Sequence, residues 1–317
     1  MKETIKDINQ ILEESSKISL TQSKQYRKLK EKLTEIEQDS SDFKEVKDYV
    51  DILIWTSKID LKSSRTLYDQ ELYPQSIFYL EQSVEKITKA YAIILLGLDP
   101  KVAKDKITHK SPKTMLKKVD TFQEIHYEFK KNYHELNEII SDKNKEKICK
   151  MNLDDIESLL VAVEETGKQL EIEIVFDQIR ESKLIDNLIE IMIPIEISEK
   201  KVEKIKNEMF KILRKKTSLE EMDRMIPALL YLSLITFPHA EFSRYPALPE
   251  DEANLSPVDY NEDEVDIIKF IEKICNITEE CIVDFEIFLK EYEQLKGNED
   301  LKDIIKKQIG LNHESNL

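Results

Sequence analysis

With 317 residues, 40% of them hydrophobic, the chain is long enough to bury one large core or two small ones, so disorder is not its default state. Four glycines are too few for the turns of a sheet protein, and 35% charged residues, mostly Lys and Glu interleaved with Ile and Leu, is the composition of long amphipathic helices. The formal net charge of −16 argues against a protein that coats nucleic acid or membrane through its overall field, while leaving room for a local basic site.

Residues 1–40 read as a polar, helix-favouring arm. Ile5, Ile8 and Leu12, then Tyr26, Leu29, Leu33 and Ile36, recur at steps of three and four, the pattern of a packing or dimerisation element. Asp39 to Asp42 is a loop and capping signal, after which Phe43 to Tyr68, with the single tryptophan Trp55, reads as the first arm of a helical hairpin. In the second arm Leu80, Val84, Ile87, Tyr91, Ile94 and Leu98 share one helical face that must be buried. Pro74 stands where a first-turn proline is tolerated, and Gly97 where a helix commonly ends in a left-handed conformation. Ser64, being small, lets the two arms approach closely.

After Gly97 the charge reverses sign. Lys101, Lys104, Lys106, Lys110, Lys113, Lys117 and Lys118 are opposed by Asp105 alone, so the stretch is either a solvated loop and helix start or a phosphate-facing patch. Helical patterning continues through Met115–Ile140, Asn152–Arg180 and Leu184–Met192 and breaks at Pro194. Glu196–Ser218 is an amphipathic helix with Val202, Ile205, Met209, Ile212 and Leu213 inward. Leu219–Ile235 reads as a central helix in which Pro227 marks a kink or a new start. Phe237 to Tyr260, carrying Pro238, Pro246, Pro249 and Pro257, reads as the one long irregular region, and such loops are often functional. Asn261 with Glu264 predicts a capped helix start there, with a bend near Asn276 and a stop at Gly297.

The expected fold is therefore all-α, a helical bundle. Its expected divisions are an arm at 1–40, a hairpin region at 43–112, an additional segment at 113–218, the rest of the bundle at 219–296, and a short helix with a tail at 298–317. Cys149, Cys275 and Cys281 lack CxxC spacing and sit in apolar helical contexts, so buried thiols in a reducing compartment are expected rather than a disulfide or a metal site. No apolar run suits a signal peptide or a membrane span, which leaves the cytoplasm as the expected location and a membrane as an unexpected partner. GxxxxGK[ST], GxGxxG, HExxH and GxSxG are all missing, so no cofactor is expected. His134 and Glu138, one turn apart, are a surface pair more readily than metal ligands, and no metal is expected.

Asp60-Leu61, the alternation Tyr73, Ser76, Phe78, and the run from Glu81 to Lys86 followed by Lys89-Ala90 resemble the first helical pair of the HEPN domain, a helical family of prokaryotic defence and toxin systems and some chaperones. Ser243 to Pro246, Asp259-Tyr260 and the acidic helix start at Asn261 resemble a later part of the same domain. The resemblance implies a HEPN-like core with extra N-terminal and inserted helices, a homodimer, and a setting of antiviral defence, toxin–antitoxin pairing or stress response. Many members are ribonucleases with an arginine followed four to six residues later by a histidine. None of Arg27, Arg65, Arg180, Arg214, Arg224 or Arg244 has a histidine at that spacing. The nearest arrangement runs backwards, His239 to Arg244.

Two functional expectations follow. The first is a binding or assembly component, with a nucleotidyltransferase or another defence effector as a possible partner protein. The second is an RNA-binding or RNA-cleaving effector whose catalytic candidates are His109, Arg244 and His239. Its phosphate-binding candidates are the lysines from Lys101 to Lys118, with Tyr245 stacking a base. Each candidate also has a plain reading, as an exposed polar residue or as a pin between loop and bundle.

Overall fold

The computed structural model describes residues 43–95, 97–106, 185, 187–189, 199–244, 256–261, 265–296 and 298. Among the described residues every regular element is helical. Helix α1 spans Phe43–Tyr68, α2 Tyr73–Ile94, the short α3 Pro100–Lys106, α4 Glu199–Lys216, α5 Leu219–Phe242 and α6 Ile271–Lys296, with single 3-10 turns at Pro257–Asp259 and Asp266–Phe270.

Helix α2 is the centre of the bundle. Its stripe residues Leu80, Val84, Ile87, Tyr91 and Ile94 are buried as expected, with Ile77 extending the stripe, but so are Ala90, Ala92 and Ile93 off it. A helix apolar on more than one side must be covered on more than one side, and α1, α5 and α6 all pack against it. Antiparallel α1 lies closest, along a seam of four serines spaced a heptad apart. Ser57 donates to the Ser83 carbonyl at 2.9 Å, and Ser76 donates to the Ser64 carbonyl at 2.8 Å. Residues this small let two backbones approach, and each hydroxyl is satisfied across the gap, so burying it does not leave an orphaned donor. The expected role of Ser64 is thus one quarter of a repeating device.

The ends of the hairpin follow the local chemistry. Helix α1 closes with the Leu72 N–H on the Leu67 carbonyl and the Glu71 N–H on the Tyr68 carbonyl, both at 2.9 Å. That pairing puts Glu71 at φ 58°, in the left-handed region where glycine usually stands. Pro74 occupies the first turn of α2, and Gly97 takes φ 62° beyond its end. Asp99 caps α3, accepting the Lys101 N–H at 2.8 Å.

Helix α6 fills the remaining core. Its Phe285 ring stacks on Tyr91 with centroids 4.3 Å apart, and the Tyr91 hydroxyl donates to the Cys281 carbonyl at 3.2 Å. Ile205, Met209 and Leu213 of α4 are buried in the same core, and the α4–α5 corner is tied down where the Ser218 N–H and hydroxyl both donate to Glu291. Cys275 and Cys281 are buried free thiols, and burial pushes the Cys275 thiol up to about 11. Cys149 lies outside the described residues.

Two readings of the sequence are changed by the structure, the end of α5 and the bend near Asn276. Helix α5 runs unbroken through Pro227 and Pro238 to Phe242, so the irregular region begins after it rather than at Phe237. The burial of Ile235, Thr236, Phe237, His239 and Ala240 holds the last turns against the lost hydrogen bonds of the prolines. Among the described residues after Tyr260, regular helix is present from Asp266 as a 3-10 turn and from Ile271 as α-helix; Glu264 of the expected cap lies outside the described residues. From there α6 is continuous through Asn276, because Ile274, Cys275, Thr278, Cys281 and Ile282 bury one uninterrupted face, and it stops before Gly297 as expected.

Candidate functional site

The end of α5, the first turns of α2 and the 3-10 turn at Pro257–Asp259 meet at one side of the bundle. The 3-10 turn is held by a capping box in which Asp259 accepts the Ser256 N–H at 2.7 Å. This sets the next residue, Tyr260, pointing inward at 4% exposure. Its hydroxyl lies 2.9 Å from Nδ1 of His239, and the two rings meet edge to face with centroids 5.7 Å apart.

His239 is fully buried and its Nε2 has no hydrogen-bond partner. Burial alone, with no compensating anion, lowers the imidazole to about pKa 3, so the ring is neutral across the physiological range. A neutral imidazole joined to a phenol orients both rings. Because it is sealed from solvent, it offers no route for a proton to or from a substrate.

Arg244 follows one turn later and faces outward. Its Nε donates to the Ala240 carbonyl at 3.0 Å, and its guanidinium carbon stands 4.8 Å from the centre of the Phe78 ring. Gln75, Phe78, Ser243, Arg244 and Pro257 line a surface depression of about 410 Å³. Ser243 is buried and its hydroxyl has no hydrogen-bond partner. The surface of the depression thus presents a guanidinium and an aromatic face, a pair that recognises an anion or a flat ring, with the Ser243 hydroxyl buried beneath them. None of its five lining side chains is an acid or base that titrates near neutrality.

His239 and Arg244 are therefore neighbours on one helix end but face opposite ways, one into the core and the other over Phe78. Lys101 and Lys104 are exposed on α3, which packs on α2. Lys106 closes α3. His109, Lys110, Lys113, Lys117, Lys118 and Tyr245 lie outside the described residues, as do His126 and His134. Gln75 is not singled out by the sequence, and Ser243 and Pro257 stand out there only as part of the family-like stretch and as a loop proline. None of the three reads as a site candidate, because they meet only where three elements converge.

The hairpin signature has its own geometry. Asp60 of α1 and Lys86 of α2 pair at 2.5 Å with both side chains mostly buried, and Lys89 pairs with Glu85 one turn apart. Burial holds the Asp60 carboxyl above its ordinary range although the Lys86 ammonium pulls the other way. These residues fasten the two arms in register. Among the described residues no group of His, Cys, Asp and Glu is arranged to hold a metal, and no helix is long and apolar enough to cross a membrane.

Residues 50–166 match the family model of the HEPN domain. The match takes in the whole of α2 and all but the first turns of α1, runs on past α3, and does not reach the Ser243 to Asn261 stretch. No curated protein and no solved structure matches the chain.

Proposed function

On the premise that the chain carries a HEPN domain, we propose that it works by binding rather than by catalysis, as an assembly component of a prokaryotic defence or stress system, acting as a homodimer. The observation that supports this most is the make-up of the depression at Arg244. Among the described residues it presents a cation and a ring to a ligand and no acid or base, while the nearby imidazole of His239 is sealed in the core. General acid–base cleavage of RNA needs a titratable group within hydrogen-bond reach of the 2′-hydroxyl, and the described residues around Arg244 supply none. The partner in this reading is a second copy together with another effector protein, for which a nucleotidyltransferase is one candidate.

A second reading keeps RNA as the ligand. The guanidinium over Phe78 favours it, since Arg and an aromatic face together suit a phosphate and a base. One set of measurements separates the two. The purified protein is incubated with a mixed tRNA pool, alongside Arg244→Ala and His109→Ala, and its mass in solution is followed by light scattering. The binding reading expects a dimer and intact tRNA in all three samples. Cleavage that disappears in either variant would overturn it in favour of the RNA-cleaving effector.

A further inference from the structure

Away from Arg244, the outer face where α1 and α6 run antiparallel carries a second depression, of about 420 Å³, floored by Ile54 and Leu289 and walled by Trp55. Trp55 is 40% exposed, and Val283 and Ile287 on the adjoining face of α6 are 44% and 45% exposed. Three large apolar side chains left in water along one seam mark a surface built to be covered. Two ion pairs cross the same seam, Lys58 to Glu286 at 2.5 Å and Arg65 to Glu279 at 2.7 Å. They stand two turns apart on each helix, about 10 Å, and in both the cation belongs to α1 and the anion to α6. Exposed Lys62 lies between the two cations on α1, and Val283 between the two anions on α6. The face therefore has a cationic edge, an anionic edge and apolar side chains beside them.

We infer that this face is where two copies of the chain meet, related by a twofold axis that runs along the seam, parallel to both helices; the inference rests on the homodimer reading above and gives it a surface. A face split lengthwise into opposite charges is complementary to itself. The axis along the seam lays α1 of one protomer over α6 of its partner at the same level. Each Lys58–Glu286 bridge then meets its copy head to tail, lysine over glutamate, and each Arg65–Glu279 bridge does the same. A twofold axis across the helices would instead lay α1 on α1 and α6 on α6, cation against cation and anion against anion, so the charges select the first arrangement. All four side chains are partly exposed, which leaves each ion room for a second partner. Burial of Trp55, Val283 and Ile287 supplies the affinity, and the ion pairs supply the orientation. A uniformly anionic partner such as RNA meets repulsion along the α6 edge.

The test is a charge exchange on the full chain, with mass followed by light scattering over a dilution series and folding verified by far-ultraviolet dichroism. Trp55 is the only tryptophan, so its emission reads the same face without labelling. Lys58→Glu sets like charges against each other at two symmetry-related places, and so does Glu286→Lys. Either variant alone should raise the dissociation constant of the dimer about 100-fold. In an equimolar mixture the two altered side chains face each other at one place and the native pair meets at the other, so the mixed dimer should recover to within about tenfold of wild type. A bridge that only stabilised its own chain would give no such rescue, because both variants still lack it. Dilution of the wild-type dimer should also shift the Trp55 emission to the red. Dimers untouched by either substitution would overturn this face and leave the homodimer reading standing, whereas a wild-type chain that is monomeric throughout would overturn both. Loss without rescue on mixing, or emission that stays constant as the dimer dissociates, would also overturn the inference.

Discussion

Acid should weaken this fold through His239. In the folded state its imidazole titrates at about 3, against about 6.5 when the chain is unfolded. Between those values the unfolded chain holds one more proton than the folded one at this residue, so stability falls as pH falls. The contribution is complete above 6.5 and is lost progressively down to 3. Each pH unit in that window is worth about 1.4 kcal/mol, which makes the loss between pH 6.5 and pH 5 about 2 kcal/mol. Urea unfolding followed by dichroism at pH 7 and pH 5 measures the total effect. His239→Phe isolates this residue, because it keeps a ring against Tyr260 and removes the titration. The variant is less stable at neutral pH, having lost the hydrogen bond, but its stability should decline with acid by about 2 kcal/mol less than wild type. The His239 ring proton resonances should also stay unshifted from pH 8 to pH 5. Identical pH slopes in the two proteins, or a ring that titrates near 6.5, would refute the argument that burial governs this residue.

Four further substitutions test the packing. Phe285→Ala removes a fully buried ring stacked on Tyr91 and should cost about 3–5 kcal/mol in chemical denaturation. Ser64→Leu forces a branched side chain into the serine seam and should cost about 1–3 kcal/mol, seen as a lowered melting temperature. Lys86→Met strands the Asp60 carboxylate in the hairpin and should cost about 2–3 kcal/mol at neutral pH, and Asp60→Asn in the same chain should recover much of it. Glu71→Gly should stabilise by about 0.5–1 kcal/mol in the same urea assay, since glycine takes φ 58° without the steric cost that glutamate bears.

The hairpin was legible residue by residue. The bounds of α1, the proline in the first turn of α2 and the left-handed Gly97 all follow from periodicity and end signals that act over a single turn of chain. The end of α5 was not. Pro227 read locally as a kink or a new start and Pro238 as part of an irregular region, yet both lie inside a continuous helix whose buried face, from Ala228 to Ala240, outweighs two lost hydrogen bonds. His239 and Arg244 were visible as candidates, but their opposite orientations depend on a tyrosine 21 positions away and a phenylalanine on another helix.

What the sequence determined by itself is the helical class, the amphipathic faces and the ends of the α1–α2 hairpin. These depend on spacings of three and four residues and on end signals, which hold wherever the helix ends up. What only the tertiary structure decided is which groups meet. The depression at Arg244 is assembled from α2, the end of α5 and a 3-10 turn, and the exposed groove at Trp55 from two helices more than 200 residues apart in the chain. Such juxtapositions are set by how buried faces satisfy one another in three dimensions, and no local pattern in the chain encodes them.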